Sequence, residues 1–110
     1  MNTLNVSLSI DEVVKILHDA IVDSSITGEV LDKYEIKGSE NIECIVIVYE
    51  KHYYRAGNRL TLTVTIDNFN GTTRVHYIGG GGGKGLFRFD WGAGESFADI
   101  VPTALSKYTI

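Results

Sequence analysis

Arg59-Leu60-Thr61-Leu62-Thr63-Val64-Thr65-Ile66-Asp67 alternates without a break. Leu60, Leu62, Val64 and Ile66 fall on one side of an extended chain; Thr61, Thr63, Thr65 and Asp67 fall on the other. A period of two marks a β-strand with one covered face and one open face. Its neighbours extend the pattern. Residues 42–54 are rich in β-branched and aromatic types, with Cys44, Val46 and Val48 on one side and Ile45, Ile47 and Tyr49 on the other. Apolar residues on both sides predict a strand covered on both faces. Ala56-Gly57-Asn58 makes a hairpin connection into residues 59–67. Asn68-Phe69-Asn70-Gly71 supplies the next turn, its Asn-Gly pair suited to positive φ. Residues 72–78 then read as a strand with Val75 and Tyr77 inward. Strands joined by such short links form an antiparallel meander.

Working outward, residues 3–8 alternate Leu4, Val6 and Leu8 with polar partners and read as a strand. Ser9 and Glu12 then form a capping box. The Ser9 hydroxyl accepts the Glu12 N–H while the Glu12 carboxylate accepts the Ser9 N–H. Ile10, Val13, Val14, Leu17, Ala20 and Ile21 keep helical spacing, so the expected helix spans 10–22 and ends at Ser24-Ser25. Residues 27–36 predict a strand with Gly28, Val30, Tyr34 and Ile36 on one side, a face that Asp32 interrupts. Lys37-Gly38-Ser39-Glu40-Asn41 is a turn cluster. Towards the C-terminus, Phe87, Phe89 and Trp91 alternate with Arg88 and Asp90 in a last strand. Phe97, Ile100, Val101, Ala104, Leu105 and Tyr108 form a helical stripe. Pro102 lies inside that stripe and predicts a kink or two short pieces. The expected fold is α+β: one domain over residues 1–110, ordered β-α-β-β-β-β-β-α, with a meandering antiparallel sheet of about six strands and two helices packed on one face.

Composition narrows the classes of function. The chain has 110 residues, 44% of them apolar, a formal charge of −4 and no basic block. Duplex nucleic acid is therefore not an expected partner. The longest apolar run, Cys44–Tyr49, is far too short to span a bilayer. The first lysine is Lys15, no secretory signal pattern opens the chain, and the expectation is a cytoplasmic location. Cys44 is the single cysteine, which leaves no internal disulfide, and its apolar neighbours mark it as a core residue. His18, His52 and His76 stand on different elements without ligand spacing, so no metal or other cofactor is expected.

The most unusual segment is Gly79-Gly80-Gly81-Gly82-Gly83-Lys84-Gly85. Five glycines add nothing to a core and lose much entropy on ordering. They mark either a mobile or bulged connection or a place where backbone comes close to another group. A phosphate-binding loop is not what they spell. That motif needs Ser or Thr after the lysine and a following helix, whereas Gly85 and a strand follow here. Gly94-Glu95-Ser96-Phe97-Ala98 nearly matches a nucleophile elbow, but no histidine follows Ser96 to serve it. Ser96, with Asp99 three residues on, reads instead as a helix cap. Lys51-His52-Tyr53-Tyr54-Arg55 mixes cations with aromatics as single-strand binders do. Without a second strip, it reads as a strand end.

Val48-Tyr49-Glu50-Lys51, Gly57-Asn58-Arg59 before an alternating strand, the glycine cluster, and Trp91-Gly92-Ala93-Gly94-Glu95-Ser96-Phe97 together resemble a family of small bacterial proteins of about this length, known as a domain of unknown function. The resemblance covers most of the chain. It implies a single cytoplasmic domain and brings no catalytic residues.

The residues lead to a non-enzymatic domain that binds a partner or a small apolar ligand between sheet and helices. The aromatics Tyr77, Phe87, Phe89, Trp91, Phe97 and Tyr108 supply the apolar surface. Candidate contacts are Gly79, Gly80, Gly81, Gly82, Gly83, Lys84, His76 and Trp91. Two rival readings are an enzyme using His76, Lys84 and Asp90 around the glycines, and a homodimer formed through an exposed strand edge.

Overall fold

The computed structural model describes residues 2–23, 27–53, 58–81 and 97–110. These form an α+β unit: β1 (Thr3–Val6), α1 (Ile10–His18) running into a π-helical turn (Asp19–Asp23), β2 (Glu29–Lys37), β3 (Glu43–Tyr53), β4 (Asn58–Asp67), β5 (Thr73–Gly81), α2 (Ile100–Ala104) and a closing 3₁₀ turn (Ser106–Tyr108). The five strands make one antiparallel sheet in the order β1-β5-β4-β3-β2. β2 to β5 run as the expected meander, and β1 closes it beside β5. The sixth expected strand, Phe87 to Trp91, lies outside the described residues, as do the expected helix end at Ser24-Ser25, the Ser96 cap and most of the Ala56-Gly57-Asn58 connection.

The alternation of β4 becomes the centre of the core. Leu60, Leu62, Val64 and Ile66 are all fully buried, flanked by Ile45, Ile47 and Tyr49 of β3 and by Val75 and Tyr77 of β5. The helices cover this inner face with Ile10, Val13, Leu17, Ile21, Phe97, Val101 and Leu105. The capping box at Ser9 forms as the spacing requires: the Glu12 N–H reaches the Ser9 hydroxyl at 3.2 Å, and the Ser9 N–H reaches the Glu12 carboxylate at 2.8 Å. Beyond His18 the chain widens into the π turn, shorter of α-helix than the expected 10–22, yet Ile21 stays in the core. Pro102 sits within α2, and the helical residues 97–98 are separated from α2 by a turn at Asp99. Proline has no N–H to give to a carbonyl four residues earlier, so the stripe arrives in pieces.

β2 corrects the sequence reading in one particular. The pairing slips between Val30 and Asp32, so Leu31 is an extra residue facing nothing on β3. A bulge of one residue moves every later side chain to the other face. Val30 lies opposite Tyr49, on the helix side. Asp32, Tyr34 and Ile36 lie opposite Val48, Val46 and Cys44, on the open side. The one-sided face of Val30, Tyr34 and Ile36 therefore does not form, and Asp32 interrupts no core.

The sheet's open face is not the second covered face expected for β3: Cys44 is buried there, but Val46 and Val48 are half-exposed. Polar order on this face centres on Asp67. Its carboxylate accepts two hydrogen bonds from the Arg74 guanidinium, at 2.9 and 3.1 Å, and one from the Phe69 N–H. Those bonds and the nearby charge raise the guanidinium's pKa. Burial, and then the Asp67 charge, push the Cys44 thiol up as well, which suits a packing residue rather than a nucleophile.

Gly79, Gly80 and Gly81 are strand, paired with Leu62, Thr61 and Leu60. At Gly81 φ is +81°, and a Cβ there would stand 2.7 Å from the Arg59 carbonyl oxygen. That is the close backbone approach for which glycine is needed.

Candidate functional site

Helix α1 and the π turn that continues it carry two stripes. Ile10, Val13, Leu17 and Ile21 enter the core, and Asp11, Val14, Lys15, His18 and Asp19 run alongside them with the same spacing. The second stripe overhangs the edge of the sheet. There it faces β2, which the bulge has turned so that Val30 and Lys33 point to the helix side. Between the two lies a groove of about 350 Å³, floored by Ile47 and Tyr49 of β3. Val14 and Val30 continue its apolar lining up the two walls. Lys15 and Lys33 stand on opposite walls, with Asp11, His18 and Asp19 completing a rim of mixed charge.

The groove's floor and rim differ in character. Tyr49 is 1% exposed, and burial pushes its phenol up to about 12, so it is neutral at any physiological pH. The rim side chains are solvated. His18 Nε2 lies 3.6 Å from an Asp23 carboxylate oxygen, with both side chains about half-exposed. A pair so wetted adds little to stability. An apolar floor under a charged rim holds a hydrophobic body and orients a polar end. Among the described residues that line it, no nucleophile stands beside a base.

Those residues singled out from the sequence that the structure describes do not line this groove. His76 lies on the open face of the sheet, its Nδ1 2.9 Å from the Thr3 hydroxyl. Gly79, Gly80 and Gly81 lie in β5, at the end of its pairing with β4. Gly82, Gly83, Lys84, Asp90 and Trp91 are outside the described residues. The groove residues escaped sequence reading for two reasons. Lys15 and His18 look like the solvated side of an amphipathic helix, and the bulge that turns Lys33 inward leaves no compositional mark. The visible signal was the second stripe on α1, whose Val14 breaks an otherwise polar face.

Among the described residues no group of three or more His, Cys, Asp or Glu side chains is arranged to hold a metal ion. No described helix is long and apolar enough to cross a membrane. The family model described as "Family of unknown function (DUF6054)" matches residues 1–109, and the chain belongs to that family. No curated protein and no solved structure matches it.

Proposed function

We propose that the chain is a binding domain whose groove between α1 and β2 takes a small, largely apolar molecule with one polar or anionic end. The groove itself carries this reading. Its volume, about 350 Å³, lies within the range of small-molecule sites, roughly 300–1,000 Å³. Val14, Val30, Ile47 and Tyr49 would hold the apolar body. Lys15, on the helix wall, would meet the polar end. No cofactor and no chemical step is part of the proposal.

Titration with a fluorescent aromatic sulfonate and with medium-chain carboxylates, followed by amide chemical-shift mapping, tests it. Saturable shifts are expected at Val14, Val30 and Ile47. Val30→Trp, which fills the groove from an exposed position on β2, should abolish them, and Lys15→Ala should weaken binding of the anionic probes more than of a neutral one. Absence of saturable binding, or binding indifferent to Val30→Trp, sinks the reading. Shifts centred instead on His76 and Gly79–Gly81 would favour the sheet's other face.

A further inference from the structure

The two edges of the sheet are treated differently. At β1, the chain's own last residues close the edge: the Ser7 N–H donates to the Tyr108 carbonyl at 2.9 Å, the Ile110 N–H donates to the Asn5 carbonyl at 2.8 Å, and Val6 bridges to Thr109. At β2 no described strand follows, and all nine of its residues are exposed. Large apolar side chains gather there: Leu31, Tyr34 and Ile36 on the strand itself, and Ile42 just beyond the turn, each at least 40% exposed. An open edge with apolar side chains is a template for another strand.

The ladder fixes which backbone groups of β2 are not bonded to β3. The Gly38 N–H donates to the Ile42 carbonyl at 2.7 Å, so bonding to β3 recurs at every second residue, through Ile36, Tyr34 and Asp32. Lys33, Glu35 and Lys37 therefore turn their amide and carbonyl groups outward. Their side chains alternate in charge along one face of the edge.

That alternation selects a partner and a register. We propose that β2 pairs antiparallel with β2 of a second copy of this chain, about a two-fold axis at Tyr34. In this register Lys33 faces Glu35 of the second copy, and Glu35 faces its Lys33. Tyr34 meets its own symmetry mate, and Leu31 reaches the aliphatic stem of Lys37. Moving the axis to Glu35 puts Glu35 against Glu35 and Lys33 against Lys37. Moving it to Lys33 puts Lys33 against Lys33. Like charges directly opposed destabilise both alternatives. An axis at Ile36 keeps Glu35 against Lys37 but pairs little more than the last three strand residues. A slip by a single residue would mismatch the outward amides and exchange the faces. The charges thus specify one pairing instead of merely blocking all of them. Because the β1 edge is closed, the assembly ends at two chains and does not extend into a fibre. The contact is short beside a standard interface, so the dimer should depend on concentration.

This inference does not rest on the groove, and Glu35 does not line it. The test is sedimentation equilibrium of the whole chain over a range of concentrations, with amide hydrogen exchange. Wild type should rise from the mass of one chain towards two, and the amides of Lys33, Glu35 and Lys37 should become protected as it does. Glu35→Lys should remain a monomer with an unchanged circular-dichroism spectrum. The double exchange Lys33→Glu with Glu35→Lys should restore the dimer. A single-chain mass at every concentration overturns the proposal. So does a dimer in which those amides exchange freely, or a double exchange that fails to rescue.

Discussion

β4 and β2 are strands of ten and nine residues in the same sheet, and they follow opposite rules. In β4 the inward residues Leu60, Leu62, Val64 and Ile66 are fully buried, and the threonines between them are half-exposed. In β2 no residue is buried, and a bulge swaps the faces part-way along. A central strand has its register fixed by burial, because a slip of one residue would expose four core side chains. An edge strand has no such constraint. What β2 has instead is a row of amides turned away from β3 and a charge pattern, which under the proposed pairing choose among partners rather than among core positions. The same chemistry, alternate side chains on a pleated backbone, thus gives stability at the centre and, under the proposed pairing, recognition at the edge.

The widest gap between the two strands should appear on truncating leucines. Leu62 is fully buried, and removing its side chain both loses transfer energy and opens a cavity. Leu62→Ala is expected to destabilise by about 2–5 kcal/mol. Leu31, at 50% exposure in the bulge, faces no residue of β3, so Leu31→Ala should stay within about 0.5 kcal/mol. Urea denaturation of both variants under conditions where the chain is monomeric measures the contrast. Comparable losses would mean that β2 contributes to the core in a way its exposure denies.

A smaller effect separates the strands through their glycines. At Gly81, with φ at +81° and the Arg59 carbonyl at 2.7 Å from any Cβ, a methyl group meets rigid backbone. Gly81→Ala should cost about 1–3 kcal/mol, the range for a residue forced into a sparsely populated conformation. Thermal or urea unfolding checks it, with amide exchange at Leu60 and Thr61 locating the damage. An unchanged midpoint would mean that β5 releases β4 before Gly81.

How much of this was legible in the sequence follows from how local each signal is. The Ser9/Glu12 cap and the alternation of residues 60–66 are settled by neighbours within a few positions, and both form as expected. The glycines show no strand propensity, and Gly79–Gly81 become strand because β4 offers an unpaired ladder beside them. The bulge at Leu31 is one residue of excess, which composition does not register. The groove depends on that bulge and on residues from Asp11 to Tyr49 meeting across two layers. Its parts were visible, and their meeting was not. The same holds for the β2 edge: its charges were plain, but only the sheet order shows that the strand lies outermost among the described strands.

The smallest expected effect is a gain, at the turn between β2 and β3. Glu40 has φ at +56° and Asn41 at +68°, both in the left-handed region. Asparagine tolerates that region through its short polar side chain. Glutamate has no such compensation and pays roughly 1–2 kcal/mol for it. Glycine would relieve the steric cost, but it loses more backbone entropy on folding, by roughly 0.5–1 kcal/mol. The two terms nearly cancel, and the remainder favours Glu40→Gly by about 0.5 kcal/mol. The change also removes a negative charge from a fully solvated turn, which should matter little to stability. It is expected as a small upward shift of the denaturation midpoint, with no change in the slope of the transition. Gly81→Ala and Glu40→Gly are therefore a matched pair: one adds a Cβ at positive φ against backbone, the other removes a Cβ at positive φ from an open turn. Opposite signs would trace both effects to the left-handed backbone. If Glu40→Gly destabilised the chain instead, the turn's hold on β2 would lie in the Glu40 side chain and not in its backbone.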